Sequence, residues 1–192
     1  NRIREVAERA LASGQLRPIE TYSTWCEDGG MSFLIRQVAS LAEKPHTRAH
    51  DWPPAEPVKR ESPPGNPFLP YDPAMFVAEV SPTHVALLNK FPVVADHLLV
   101  VTREFELQST RLTAVDFQAL AICQLQFPSL GFYNSGTIAG ASQPHRHLQL
   151  IPLPLAERAP DLPIDALLNR AAAPPHQAVC RMSGPRRAAP TP

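Results

Sequence analysis

Proline placement is the strongest constraint on how this chain can fold. There are 23 prolines in 192 residues, about 12% against a usual share of ~5%. Nine fall between Pro45 and Pro73, nine between Pro152 and Pro192, and five elsewhere. A proline donates no amide hydrogen to a ladder and steers the residue before it out of helix. The chain is therefore expected to form one folded domain over 1–154, interrupted by a proline-rich surface loop over 45–73, and followed by a loose Pro/Ala-rich tail over 155–192. A loop of that length inside a compact domain is commonly functional.

The stretches between the prolines carry the periodicity. Ile3, Val6, Ala7, Ala10 and Leu11 recur at helical spacing, and Gly14 suits a helix stop. Met31–Val38 reads as a strand. Ala74–Val80 and Thr83–Asn89 are apolar runs split by Ser81-Pro82, a hairpin or one bent strand. His97–Thr102 is another strand. Thr113 with Asp116 resembles a capping box, and Phe117, Leu120, Ala121 and Leu125 then share one helical face before Pro128. Leu130–Tyr133 and His145–Ile151 complete the strands, joined by a glycine-containing loop. Several strands and few helices indicate an α+β fold with a mostly antiparallel sheet.

Composition excludes some roles. Lys+Arg and Asp+Glu are 18 each, so the chain is neutral and is expected to bind no nucleic acid. No apolar run reaches the ~18 residues of a membrane span, and the charges scattered through Asn1–Gly14 do not fit a secretory signal. Cys26, Cys123 and Cys180 are far apart and form no CxxC, which points to a reducing, cytoplasmic setting. The chain does not open with Met, and its natural start is expected upstream.

Chemistry concentrates in Asn134–Gln149. If His145 onward is a strand, then His145, His147 and Gln149 face one way, and Arg146, Leu148 and Leu150 the other. Three polar side chains on one face are costly to bury without partners, so that face lines a cavity or meets water. The preceding Gly140, Ala141, Ser142 and Gln143 are small or amide-bearing, the composition of a loop that lets backbone N–H groups reach an anion. A neutral imidazole beside such a loop can attack phosphorus and carry the transferred group, splitting one displacement into two. An isolated HxH pair also admits two plainer readings: structural histidines, or two ligands of a metal. The second needs a third ligand, and no Asp, Glu or Cys lies in the segment.

Five segments in order carry a resemblance: Asn66–Tyr71 (NPFLPY), His84–Pro92 (HVALLNKFP), Asp96–Arg103 (DHLLVVTR), Phe132–Gly136 (FYNSG) and Ser142–Gln149 (SQPHRHLQ). Together they resemble the ATP adenylyltransferases, or diadenosine tetraphosphate phosphorylases, a branch of the histidine triad superfamily. The likeness runs through at least Asn66–Pro154. It implies a nucleotidyltransferase that cleaves diadenosine tetraphosphate with phosphate to ATP and ADP, and the reverse, through a nucleotidyl-histidine. By the resemblance, His147 is the nucleophile, Gln149 its phosphate-contacting neighbour and His145 a supporting residue. Lys44, Asn89, Lys90, Asn134, Gly140, Ala141, Ser142 and Gln143 are substrate contacts. A divalent cation, Mg2+, is expected to screen the phosphates, with no protein metal site. The related galactose-1-phosphate uridylyltransferases use a similar run with proline where this chain has Arg146, which disfavours that branch. Members of the resembled family continue beyond this chain, so the tail is expected to begin a missing C-terminal part. The alternative is therefore a truncated, catalytically weak nucleotide-binding module of the same fold. Oligomeric state is left open.

Overall fold

The computed structural model describes residues 2–39, 65–155, 162 and 164–172. Helix α1 (Arg2–Ala12) buries Ile3, Val6, Ala7 and Ala10, the stripe its spacing predicts, while Leu11 stays half exposed. The chain then pairs with the loop after the fourth strand through Arg17 N–H to Lys90 O (2.9 Å) and Ile19 N–H to Pro92 O (3.0 Å). It enters an antiparallel hairpin, β1 (Thr21–Asp28) and β2 (Met31–Val38). Gly29 and Gly30, both at positive φ, supply the two-residue turn between paired Asp28 and Met31. Strand β1 is polar and almost wholly exposed, which is why apolar patterning did not reveal it.

The second sheet has five antiparallel strands in the order β3-β4-β5-β7-β6: β3 (Phe76–Glu79), β4 (His84–Leu88), β5 (Leu98–Thr102), β6 (Ser129–Phe132) and β7 (His147–Pro152). The run split by Ser81-Pro82 is thus a hairpin, with a register shift between Phe76 and Ala78. Helix α2 (Ala114–Gln124) connects β5 to β6, and β7 returns between them. One sheet face, with Ala86, Leu88, Leu98, Val100, Leu148 and Leu150, packs against α1 and α2. The other, with Val85, Leu87, Leu99 and Val101, is capped by Phe68.

Three expectations change. Residues 45–64 of the predicted loop lie outside the described residues, but Asn66–Tyr71 is no surface loop, because Phe68 is 7% exposed against the sheet. The first half of the predicted tail contains a helix, α3 (Asp165–Ala172); 173–192 lie outside the described residues. Helix α2 is rotated from the apolar face predicted for it: Phe117 and Leu125 are exposed, and Asp116, Ala119 and Cys123 are buried.

Polar bonding explains that rotation. The Asp116 carboxylate accepts from Thr113 N–H (2.6 Å), the Thr113 hydroxyl (2.8 Å), His84 Nε2–H (3.1 Å) and Arg146 Nη1–H (3.1 Å). Arg146 is itself 4% exposed and pairs with Glu106 as well. Burial acts to raise the Asp116 pKa, but the Thr113 bonds, Arg146 and His84 outweigh it and hold the carboxyl below the usual range. Removing one partner of a buried ion pair strands the other charge. Asp116→Asn is expected to cost about 3 kcal/mol, read as a lowered urea midpoint. An unchanged midpoint would mean that Glu106 alone balances the Arg146 charge.

Candidate active site

Alternation along β7 separates two kinds of side chain. Arg146 and Leu148 turn toward α2, whereas His147 and Gln149 share the face of their β5 partners Val101 and Leu99. His145 sits just before the strand, in an isolated bridge with Leu107. Its ring lies on the His147 side: Phe68 is 5.6 Å from the His145 ring centroid and 5.4 Å from that of His147. Both histidines are buried, at 0% and 3% exposure.

Their hydrogen bonds settle which nitrogen carries each proton. Phe68 N–H donates to Asn66 Oδ1 (3.0 Å), which leaves the Asn66 NH2 to donate to His145 Nδ1 (2.9 Å). His145 therefore holds its proton on Nε2 and donates it to the Thr102 carbonyl (2.9 Å), with the Thr102 hydroxyl at the same distance. The His145 carbonyl in turn accepts from His147 Nδ1 (2.8 Å), and a carbonyl can only accept. His147 is thus the Nδ1–H tautomer. Its Nε2 keeps a free lone pair and takes no hydrogen bond from any described residue.

A parallel chain orients Gln149. Phe91 N–H occupies Asn89 Oδ1 (3.1 Å), so the Asn89 NH2 donates to His97 Nδ1 (3.3 Å). His97 then donates from Nε2 to Gln149 Oε1 (3.1 Å). The Gln149 NH2 is left without a partner among the described residues, as two N–H donors beside the His147 ring's strand position. Burial lowers the pKa of all three imidazoles, that of His145 to about 4, and partly offsetting hydrogen bonds do not reverse the direction. At neutral pH the site face therefore holds uncharged rings.

The remaining predicted contacts are distributed unevenly. Asn134 follows β6, and its amide nitrogen lies over Gly140, 3.7 Å from where a Cβ would stand. Gly140 adopts the left-handed conformation (φ 91°) that glycine favours. The Gly140 and Ala141 amides are already used, donating to Thr137 O and Gly136 O, both at 2.9 Å. Those two amides are not free for an anion, which leaves Ser142 and Gln143 as donors among the four loop residues predicted to contact substrate. Lys90 follows β4 beyond Asn89, and its backbone carbonyl accepts from Arg17 N–H. Lys44 lies outside the described residues. Asn89, expected to touch substrate, gives its side-chain oxygen to Phe91 N–H and one of its two amide hydrogens to His97. The sequence reading missed the supporting roles of Asn66, Phe68, His97, Thr102 and Gln108. Asn66 and Phe68 stood in a recognised motif, but nothing local to them revealed a contact 79 positions away. No group of three or more His, Cys, Asp or Glu side chains that could hold a metal occurs among the described residues. No described helix is long and apolar enough to cross a membrane.

Comparison with known proteins follows the same lines. Residues 1–170 match the family described as the Ap4A phosphorylase N-terminal domain. The chain is 33% identical over 156 residues to Protein APA1 of Saccharomyces cerevisiae, covering 76% of this chain and 46% of that protein. It is 43% identical over 79 residues to Diadenosine 5',5'''-P1,P4-tetraphosphate phosphorylase 2 of the same yeast, covering 35% and 24%. A crystal structure of yeast Ap4A phosphorylase Apa2 in complex with Ap4A superposes with a TM-score of 0.65 at 26% identity, over 90% of this chain and 55% of that one. The chain thus spans about half the length of the relatives it matches.

The tautomer assignments are directly measurable. Imidazole 15N spectra at pH 7 are expected to show His147 protonated at Nδ1 and His145 and His97 at Nε2, all neutral. Because the unfolded chain takes up protons near pH 6.5 that the fold refuses, stability is expected to fall as pH drops from 6.5 toward 4. A urea midpoint unchanged between pH 7 and pH 5, or a His147 ring protonated at Nε2, would contradict the assignment.

Proposed function

Because this chain belongs to the Ap4A phosphorylase N-terminal domain family, we propose that it transfers an adenylyl group through His147, using phosphate to convert diadenosine tetraphosphate to ATP and ADP. The observation that carries this reading is the bond from His147 Nδ1–H to the His145 carbonyl (2.8 Å), which leaves Nε2 as an unprotonated nucleophile. Nε2 attacks the α-phosphorus of one adenylate. The Nε2–P bond forms, the P–O bond to the bridging oxygen breaks, and ATP departs with that oxygen. A phosphate oxygen then attacks the same phosphorus, the Nε2–P bond breaks, and ADP leaves with the imidazole restored. The Nδ1–H stays on its carbonyl throughout and stabilises the positive charge the ring gains while it carries the group.

In this reading the Gln149 NH2, whose oxygen is held by His97, donates to a phosphoryl oxygen, with Ser142, Gln143 and the Asn134 amide as further donors. Lys90 and Lys44 are the cations assigned to the polyphosphate. The divalent cation, Mg2+, would ride on the phosphates themselves, since the described residues offer it no cage; it would screen their charge. The free thiols of Cys26 and Cys123 suit a reducing cytoplasm. The chain's match to about half the length of its relatives favours a second reading, a module that binds nucleotide but needs the other half for turnover.

Incubation with diadenosine tetraphosphate labelled in the α-phosphate, followed by trapping in mild base and peptide mapping, separates the two. Transfer places acid-labile label on His147, abolished by His147→Ala and slowed about 100-fold by Gln149→Ala, the usual cost of losing one donor to developing charge. Because the His147 pKa lies below its ordinary value, labelling is expected to hold level from pH 8 to below pH 6.5 and to fall only under that. Nucleotide binding by calorimetry without label on folded wild-type protein would leave the binding module; neither would remove both.

A further inference from the structure

Gln108 lies in the link between β5 and α2, 1% exposed, and had no place in any motif. Its backbone is pinned: its N–H donates to Pro144 O (2.8 Å), and its carbonyl accepts from the Tyr133 hydroxyl. Its side chain is fully engaged across the sheet. Oε1 accepts from His147 N–H (2.8 Å), while Nε2 donates to His147 O (3.1 Å) and to Asn134 O (2.8 Å).

The position of that amide is informative. Strands β6 and β7 pair Ser129 with Pro152, Leu130 with Ile151, Gly131 with Leu150 and Phe132 with Gln149. Continued by two residues, the register would set Asn134 opposite His147. The ladder stops first, and the Gln108 carboxamide stands between the two backbones. It offers His147 one acceptor and one donor, as a hydrogen-bonded strand partner would, and holds the Asn134 carbonyl with its second N–H. Paired strands lie ~4.8 Å apart, and an amide inserted between them holds them wider. The gap opens beside the nucleophile and at the start of the loop carrying Ser142 and Gln143.

We propose that Gln108 is a positioning residue for the transfer reaction: a carboxamide spacer that fixes the His147 backbone and keeps the Asn134 loop one amide-width away, so that a phosphoryl group can reach Nε2. This rests on the reading of His147 as nucleophile. The spacer acts through three bonds at once. With the bond from His147 Nδ1–H to the His145 carbonyl, both backbone groups and one ring nitrogen of His147 are held, so its ring has little freedom to turn. A misplacement of ~1 Å at a reacting atom costs on the order of 100-fold in rate.

The test uses Gln108→Met, which keeps length and removes all three bonds, and Gln108→Glu, which keeps the acceptor and loses the donors while ionised. Rates are measured in a single turnover of labelled diadenosine tetraphosphate and normalised to the folded fraction at each pH. Both variants are expected to label His147 about 100-fold more slowly than wild type at pH 8, with calorimetric affinity for the dinucleotide changed less than about threefold. A buried carboxyl protonates above its usual range, and once protonated it donates again. Labelling by Gln108→Glu is therefore expected to recover at least about tenfold relative to wild type from pH 8 to pH 6, while Gln108→Met tracks wild type over the same range. That recovery is read within one variant, so a difference in stability cannot mimic it. Folded variants that label at the wild-type rate, or a Gln108→Glu profile parallel to that of Gln108→Met, would overturn the spacer role alone. A folded wild-type protein that takes no label would overturn the nucleotidyl-transfer reading first, and this role with it.

Discussion

A carbonyl oxygen can accept a hydrogen bond but never donate one, and the structure of this site follows from that restriction at His145. Its carbonyl holds the Nδ1–H of His147, which forces the second nitrogen of the ring to be a lone pair. The bond works only because His145 is itself immobile, with Asn66 on one ring nitrogen and Thr102 on the other. Asn66 in turn cannot rotate its amide, because Phe68 N–H occupies the oxygen. Phe68 then covers both rings. Two donations therefore converge on His145, from Asn66 into its ring and from His147 into its carbonyl, and the nitrogen proposed to attack phosphorus is the one that neither uses.

The sheet divides the electrostatic labour between its faces. On the α2 side, Arg146 is neutralised by Asp116 and Glu106, so the cation nearest the histidines in sequence has no charge to spare. On the other side the three imidazoles are kept neutral by burial. Protonated rings would draw a polyphosphate more strongly but would have no lone pair with which to attack it. The geometry resolves this conflict in favour of the nucleophile. In the proposed reaction, attraction for phosphate would fall to fixed dipoles, such as the Gln149 NH2, and to the lysines.

What was legible in the sequence is what repeats at a fixed period. Period-two alternation sorted His147 and Gln149 from Arg146 and Leu148, and β7 places them so. The α1 stripe was equally readable. The face of α2 was not, because Asp116 answers not only to its neighbour Thr113 but also to Arg146 and His84, which come from distant segments. Turning Asp116 inward carries Phe117 and Leu125 outward against their own hydrophobicity. Strand β1 escaped because neither of its faces is buried, so no alternation was imposed on it. Five ordered motifs indicated where the site lies, but not that Asn89 would face His97. That assignment depends on an amide orientation set by Phe91 N–H.

Gln108 shows the limit of pattern most clearly. A solitary glutamine in a turn has no period, no spacing and no charge partner to betray it. Its role exists only where three segments meet, the β5–α2 link, the end of β6 and the start of β7. Each of those segments taken alone has a complete account: a link, a strand that stops, a strand that begins. The interruption of pairing at Phe132 and Gln149 looks like an ordinary strand end until the intervening amide is seen to satisfy the groups the ladder leaves behind. Backbone groups that are buried must be bonded to something. Where a ladder stops short inside a protein, whatever takes its place determines how far apart the strands stand, and here that distance borders the nitrogen on which the chemistry is proposed to occur.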